Sequence, residues 1–85
     1  MSLPTLVHAR EYDARMAKLP QEVQQRIKQR IFEMAERLST FAHYRMTGSD
    51  CYRLRAGDYR VIYQFDTRQG LVWLLSVGHR REIYR

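Results

Sequence analysis

The residues best suited to chemistry are three arginines in the stretch between Asp50 and Gln64, DCYRLRAGDYRVIYQ. Arg53, Arg55 and Arg60 alternate with apolar residues, which predicts two strands that each have an apolar face and a basic face. A guanidinium group is planar and presents its N–H donors in a fork that fits the oxygens of a phosphate. We therefore predict an anion-binding surface here, although flexible arginines can also simply extend into water.

The pair Gly57-Asp58 divides this stretch and is a typical signal for a tight hairpin turn. With these two residues as the turn, glycine supplies the positive φ that the first turn position favours. Arg55 then faces Arg60, and two like charges across a ladder cost roughly 0.2–1 kcal/mol. This unfavourable pair indicates a face that binds an anion. The other predicted cross-strand pairs are Ala56 with Tyr59, Leu54 with Val61, and Arg53 with Ile62.

A second group of polar residues follows an apolar segment near the end of the sequence. It contains His79, Arg80 and Arg81, and Tyr84 stands just beyond them. Guanidinium and imidazole groups can bind or polarise a phosphate. His79 can contact phosphate or stack on a base, and the alternative is that it is exposed without a role.

Composition restricts both the partner and the size of the core. The chain has 85 residues, a formal net charge of +6 and a pI near 10.0, which favour a polyanionic partner. Arginine makes up 13 of the 15 basic residues. Codon bias in a GC-rich genome explains that ratio equally well, but not the positions of the arginines. A chain of this length forms one modest core, so we expect residues 1–85 to be one domain with a shallow site and no large cofactor.

Cysteine content and hydropathy predict the cellular environment. The single cysteine, Cys51, excludes an internal disulfide, and no other cysteine is present for a thiolate zinc cluster. No apolar run approaches the ~18 residues of a membrane span, and the first ten residues lack the pattern of a signal peptide. We therefore expect a soluble cytoplasmic protein with no membrane partner and no zinc site built from cysteines.

Several other side chains that can do chemistry are expected to be structural. The aromatic residues of the strands share parity with Leu54 and Val61, which places most of them in the core. Isolated histidines such as His8 and His43 are expected to be structural or to face solvent. Cys51 has no histidine and acid pair to activate it, so we expect a partly buried small side chain.

The second predicted helix is the clearest part of the scaffold. After Pro20, apolar residues step by three and four along one stripe, and Glu, Gln and Arg occupy the remaining positions. We interpret the arginines of this helix as a solvated face and not as a helix that reads a nucleic-acid groove. The apolar stripe contains Val23, Ile27, Ile31, Met34 and Leu38.

The complete pattern predicts an α+β fold of βααβββ order, in which an antiparallel sheet packs against a two-helix hairpin. Near-continuous apolar character from Leu71 to Val77 predicts a central strand that is covered on both faces and ended by Gly78. The other expected segments are an edge strand at 3–8, a helix at 9–19, a second helix from 20, a loop at 39–49, and two strands on either side of the Gly57-Asp58 turn.

Two motifs in this chain resemble the RelE/ParE superfamily, the toxins of bacterial type II toxin–antitoxin pairs. They are YRLRAGDYRVIY in the hairpin and VGHRREIYR one strand later, and the helical segment KLPQEVQQRI fits as well. The ending VGHRREIY is closer to the RelE branch of ribosome-dependent RNases than to the ParE branch, which targets DNA gyrase. The resemblance implies cleavage of mRNA in the ribosomal decoding site without a metal, and a cognate antitoxin as partner.

Carried over position by position, the resemblance implies a catalytic set. Arg53 and Arg55 match the paired basic residues of the first hairpin strand, where the family often has Lys. Arg60 matches the arginine of the GDYR motif, Arg80 the arginine after VGH, and Tyr84 the tyrosine near the end. Beside this set, His79, Arg81 and Arg45 are candidate RNA-binding residues, and Tyr44, next to Arg45 in the loop before the hairpin, is a further candidate RNA contact.

The implied reaction is attack of a ribose 2′-OH on the neighbouring phosphate. Arginines would neutralise the phosphorane, Arg80 would stabilise the departing 5′-oxygen, and Tyr84 is the candidate base. A phenol with an ordinary pKa near 10 is only about 0.1% ionised at pH 7, so neighbouring guanidinium groups must favour the phenolate. The alternatives are a packing role for Tyr84, a gyrase inhibitor without catalysis, a nucleic-acid-binding module, and a degenerate toxin that only binds its antitoxin.

Overall fold

Seven elements of secondary structure follow one another in the part of the chain that the structure describes. A computed structural model describes residues 3–83, and this range contains two helices and five strands. The predicted α+β fold is confirmed, with one additional short strand. The elements are β1 (Thr5–His8), α1 (Arg10–Ala17), α2 (Gln21–Glu36), β2 (Tyr44–Arg45), β3 (Tyr52–Ala56), β4 (Tyr59–Asp66) and β5 (Leu71–His79).

Helix α2 begins directly after Pro20, because the N–H that proline lacks has no partner in the first turn of a helix. The predicted apolar stripe is confirmed: Ile27, Ile31 and Met34 are buried, and so is Leu38 just beyond the end of the helix. Burying each such side chain contributes roughly 1.5–3 kcal/mol. Within residues 3–83, neither helix has the length and apolar character needed to cross a membrane.

The strands form one mixed sheet in the order β1-β5-β4-β3-β2. β3, β4 and β5 make the predicted antiparallel meander, and β1 is the predicted edge strand. However, β1 runs parallel to β5, with Thr5 opposite Leu71, so the prediction of a wholly antiparallel sheet was wrong. Alternation within a strand shows which residues share a face, but it does not encode the direction of a partner far away in sequence.

Strand β2 lies in the segment predicted as a loop at 39–49, and that prediction was wrong at this point. Tyr44 pairs antiparallel with Arg53, and the N–H of Met46 donates to the carbonyl of Cys51 at 2.9 Å. Two residues are too few to show the period of a strand, so the pairing leaves no pattern in the sequence. Cys51 is a free, half-buried thiol, as expected.

The hairpin between β3 and β4 has the predicted register. Gly57 has a φ of 62° and Asp58 has no positive φ, which is the pattern of a type II′ turn. Arg55 lies opposite Arg60, and the three other predicted pairs are also present. This register places both arginines on the sheet face opposite to the buried Leu54.

Strand β5 differs from its prediction in two ways. It continues through Gly78 to His79, because Gly78 pairs with Arg60 on β4. A Cβ on Gly78 would lie 3.3 Å from Arg15 Nη1 and 3.4 Å from Ile83 Cδ1, so the strand passes closely beneath these side chains. The second difference is burial: Val72, Leu74 and Val77 on one face are buried, but Trp73 is only partly buried, so β5 is not covered completely on both faces.

The core lies between the helices and the sheet, and His43 packs against one end of it. Tyr63 is fully buried and its hydroxyl is hydrogen bonded to His43 Nδ1. His43 Nε2 lies 2.7 Å from the carbonyl oxygen of Leu38 and must donate, because a carbonyl only accepts. The ring stacks on Phe65 at 3.9 Å. His43 is therefore structural and His8 is exposed on β1, as predicted for both.

Removing the Tyr63 hydroxyl should weaken this end of the core. We expect Tyr63→Phe to lower the free energy of unfolding by about 1–3 kcal/mol, because the Nδ1 acceptor of His43 loses its donor. Urea unfolding followed by circular dichroism measures the loss. The matched control is Tyr52→Phe, whose half-buried ring has no hydroxyl partner within residues 3–83 and should change stability by less than about 0.5 kcal/mol. Equal losses in the two variants would contradict the role of the hydrogen bond.

Two buried tyrosines should make the free energy of unfolding fall at alkaline pH. Burial, and secondarily the charge of Asp13, raises the pKa of Tyr12 to about 12. The pKa of Tyr63 is raised further, mainly by burial. The contribution of these two phenols to the free energy of unfolding is fully present below pH 10, the pKa of tyrosine in the unfolded chain. It is lost as the pH rises through the folded pKa, because between the two pKa values only the unfolded chain ionises. Between pH 10 and 12 we expect Tyr12 to account for a loss of roughly 2 kcal/mol.

Replacing that phenol tests the assignment. Tyr12→Phe should flatten the decline of unfolding free energy above pH 10 relative to the parent protein, as measured by urea titrations at several pH values. Met16→Leu changes a buried side chain that cannot ionise, so it serves as the control and should leave the alkaline decline unchanged. An identical decline in Tyr12→Phe and the parent would show that another group controls alkaline unfolding.

Candidate functional site

A basic hollow of about 790 Å³ opens at the end of the sheet that carries the Gly57-Asp58 turn. We call it the arginine hollow. Strands β3 and β4 contribute adjacent side chains to it because of the register described above, and the turn after β5 brings further cations to the same place. The residues that line it are Arg30, Tyr44, Arg53, Arg55, Arg60, Arg80 and Arg81. Five of these are arginines that the sequence marked as candidates, from three separate segments.

Arg60 is the most constrained of these cations. Its side chain is only 8% exposed, and Nη1 donates to the carbonyl oxygens of Gly57 at 2.7 Å and Tyr59 at 2.8 Å. These bonds hold the guanidinium plane against the hairpin turn. The other N–H groups of Arg60 have no acceptor within residues 3–83, and the facing residue on β5, Gly78, has no side chain that competes for them. Arg60 is therefore a fixed donor in the arginine hollow.

Arg30 was missed by the sequence analysis, which interpreted the arginines of α2 as a solvated face. Its Nε donates to the carbonyl of Arg55 at 2.9 Å, and its Nη1 pairs with Glu33 at 2.9 Å. In this hairpin Arg55 and Arg60 form a pair whose backbone groups point away from each other, so the outer carbonyl of Arg55 needs another donor. No sequence signal marks Arg30, because it lies on the polar side of α2 together with Arg26 and Arg37, and its spacing does not distinguish it from them.

Arg80 and Arg81 reach the hollow through the turn that follows β5. The N–H of Arg80 donates to the carbonyl of Asp58 at 2.8 Å, and its Nε lies 4.0 Å from the carboxylate of the same residue. The N–H of Arg81 donates to His79 Nδ1 at 3.2 Å. His79 packs edge-on against Tyr59 at 5.5 Å and is not among the lining residues. Its observed role is to hold the turn that carries the two arginines.

Two candidates from the sequence are not placed in the hollow. Arg45 donates to the carbonyl of Ser49 at 2.9 Å and to Asp50 at 3.2 Å, and it lines separate depressions. It follows Tyr44 on β2, so the two side chains point to opposite faces. Tyr84 lies outside the described residues, and its implied role as the base stays a prediction.

The electrostatics of the hollow favour an anion. Six guanidinium groups line it, and no carboxylate is among its described lining residues. Arg30 pairs with Glu33 and Arg80 with Asp58, but these groups are partly exposed, so the two ion pairs offset little of this charge. Arginine stays protonated, so the hollow can bind and stabilise negative charge but cannot itself accept a proton. Within residues 3–83, no cluster of His, Cys, Asp and Glu is arranged to hold a metal ion.

Solved structures that share this fold include bacterial and archaeal toxins and toxin–antitoxin complexes. The chain is 28% identical to a chain of the intact E. coli RelBE toxin–antitoxin complex, with a TM-score of 0.74 over 89% of this chain and 95% of that one. It is 25% identical to a free arginine-to-alanine double mutant of the E. coli toxin RelE, with a TM-score of 0.77 over 98% and 90%. A chain of the Pyrococcus horikoshii RelE–RelB complex is 22% identical, with a TM-score of 0.73 over 95% and 99%, and shares the fold.

Sequence comparison places the chain in a family. No curated protein sequence matches it significantly. A family model described as the ParE toxin of the type II toxin–antitoxin system parDE matches residues 6–84. This match covers nearly the whole chain, and the fold is that of RelE. The protein therefore belongs to the ParE toxin family within the RelE/ParE superfamily, and it is a toxin of a type II toxin–antitoxin system.

Proposed function

We propose that the protein is a metal-independent endoribonuclease that cleaves mRNA in the ribosomal decoding site and leaves a 2′,3′-cyclic phosphate. The observation that supports this most is the arginine hollow, where Arg53, Arg55, Arg60, Arg80 and Arg81 surround a space open to solvent. Converging guanidinium groups match the charge that develops on a phosphorane, and preorganised donors of this kind contribute strongly to catalysis. A space that is open to solvent can admit a polymer strand.

In the proposed reaction the 2′-oxygen forms a bond to phosphorus and the bond from phosphorus to the 5′-oxygen breaks. Tyr84, as phenolate, takes the proton of the 2′-OH. Arg60, Arg53 and Arg55 donate to the nonbridging oxygens, and Arg80 stabilises the departing 5′-oxygen as a hydrogen-bond donor. That oxygen takes its proton from water, because a guanidinium releases its own proton very reluctantly.

The make-up of the site supports dependence on the ribosome. The described lining residues are six arginines and Tyr44, none of which ordinarily titrates near pH 7. A site without such groups should be slow unless a larger partner holds the RNA in a geometry ready for attack, since positioning alone is worth many orders of magnitude. A ribosomal target also implies action in the cytoplasm.

We also propose a cognate antitoxin as partner. Similar chains have been solved in the RelBE complexes of E. coli and Mycobacterium tuberculosis. The net charge of +6 and the six lining arginines would favour an antitoxin whose acidic groups enter the hollow, which would block the RNA site directly.

A second candidate function is inhibition of DNA gyrase without catalysis. It is favoured by the matching family model, which describes ParE toxins. The arginine hollow does not favour it specifically, because a protein inhibitor needs no donors arranged around a phosphate. The two functions differ in whether RNA is cut.

Primer extension on mRNA translated in vitro tests the nuclease proposal. We expect cuts in phase with codons that appear only when ribosomes are present and that leave 2′,3′-cyclic phosphate ends. A DNA supercoiling assay with purified gyrase, run on the same preparation, should show no inhibition. Intact mRNA together with inhibited gyrase would overturn the nuclease proposal in favour of the second candidate.

A further inference from the structure

Tyr44 is an exposed aromatic side chain at the rim of the arginine hollow. It is 64% exposed, and its hydroxyl has no hydrogen-bond partner within residues 3–83. By contrast, Tyr52, Tyr59 and Tyr63 are buried or packed against the core. A large ring in water forgoes the stabilisation that burial would give it, so the fold itself does not account for the position of Tyr44.

The strand pairing places Tyr44 beside the phosphate-binding groups. Its Cα partner on β3 is Arg53, so the two side chains stand next to each other on one face of the sheet. It is also the only aromatic residue among the described residues that line the hollow. Tyr44 belongs to a two-residue strand with low burial, which leaves the ring free to meet a flat ligand.

We propose that Tyr44 is the stacking platform for a nucleobase of single-stranded RNA whose phosphate lies on Arg53. This inference rests on the proposed RNA-cleaving function and adds a base-binding position to it. Aromatic rings stack on the faces of unpaired bases with little dependence on base identity. A phosphate held by Arg53 carries its own nucleoside, so a base is delivered next to the ring.

Stacking and phosphate binding predict different responses to salt. Loss of one arginine removes a phosphate contact and should reduce the slope of log affinity against log salt by nearly one. Loss of a stacking ring should lower affinity for RNA at every salt concentration without changing that slope. From the effect of removing one stacked base, we expect about a five- to hundredfold loss of affinity.

The experiment uses fluorescence anisotropy with the full chain and a short single-stranded RNA whose sugars are 2′-O-methylated, so that no 2′-OH can attack. The same oligonucleotide with abasic positions is the matched ligand. We expect Tyr44→Ala to weaken binding of the RNA about five- to hundredfold, with an unchanged salt slope and unchanged affinity for the abasic strand. Tyr44→Phe should bind like the parent protein, because the ring face and not the hydroxyl makes the contact.

A base analogue gives a direct signature of stacking. The fluorescence of 2-aminopurine, placed at successive positions of the RNA, should be quenched at one position by the parent and Tyr44→Phe, and released by Tyr44→Ala. Equal RNA affinity of Tyr44→Ala and the parent, or equal losses with the abasic strand, would overturn the role of Tyr44. If Arg53→Ala binds the abasic strand as the parent does, with the same salt slope, the phosphate site itself fails and the proposed function falls with it.

Discussion

We expect Arg60→Ala to lower the rate of ribosome-dependent mRNA cleavage about 100- to 1000-fold, the effect typical of removing one preorganised donor from a developing negative charge. Arg60 is nearly buried, and two bonds to the backbone of the hairpin turn hold its guanidinium group. Its remaining N–H groups have no acceptor within residues 3–83, and Arg60 lines the arginine hollow. Single-turnover cleavage of a defined mRNA on purified ribosomes measures the rate directly.

Two matched variants separate this role from charge and from folding. Arg60→Lys keeps the positive charge but loses the fork that binds two oxygens, so we expect it to remain well below the parent in rate. Arg68→Ala removes an equally charged but exposed arginine from the turn between β4 and β5, at the far end of β4, and should cleave like the parent. Thermal unfolding must show Arg60→Ala folded at the assay temperature. A folded Arg60→Ala with parental activity would contradict the assignment.

We expect Tyr84→Phe to reduce cleavage by about 100- to 10,000-fold, as when a general base is removed. Phenylalanine keeps the ring but cannot accept the proton of the 2′-OH. In the parent, the single-turnover rate should rise about tenfold per pH unit at pH values below the pKa of a phenolic base, because the phenolate fraction rises by that factor. The variant should lose this dependence.

The control for this prediction is Tyr12→Phe, which changes a buried tyrosine of the core and should leave cleavage unchanged at pH 7. RNA binding by Tyr84→Phe should also match the parent, since a base acts on the chemical step. Full activity in Tyr84→Phe would require another group as base. Gyrase inhibition that survives in Tyr84→Phe, with no cleavage by the parent, would support the ParE-type function.

Local pattern was sufficient for much of the fold. The stripe of α2 was predictable because burial of one helical face imposes a repeat of three and four residues. The register of the β3–β4 hairpin was predictable because a two-residue turn with glycine at its first position allows one alignment, and that alignment places Arg55 beside Arg60. Recognition of the RelE/ParE superfamily came from the same stretch and from the VGHRREIYR ending.

Tertiary structure decided the features that depend on segments far apart in sequence. The parallel direction of β1 against β5, the two-residue pairing of β2 and the course of β5 through Gly78 leave no periodic signal. The membership of the arginine hollow was decided in the same way. Arg30 lines the arginine hollow because α2 passes the free edge of β3, where Arg30 contacts Arg55. Arg45 does not line it, because Tyr44 is the residue of β2 whose side chain lies on the same face as Arg53.

The sequence by itself therefore determined which residues alternate, which turn joins them and which family the chain resembles. Only the folded chain decided which cations share one space, because proximity between distant segments follows from the packing of helices on a sheet and not from spacing along the chain. The three arginines that the alternating pattern marks as anion-binding, Arg53, Arg55 and Arg60, all line the hollow. The ring of Tyr44 lies beside them because β2 pairs with β3, and a strand of two residues is too short to be predicted from the sequence.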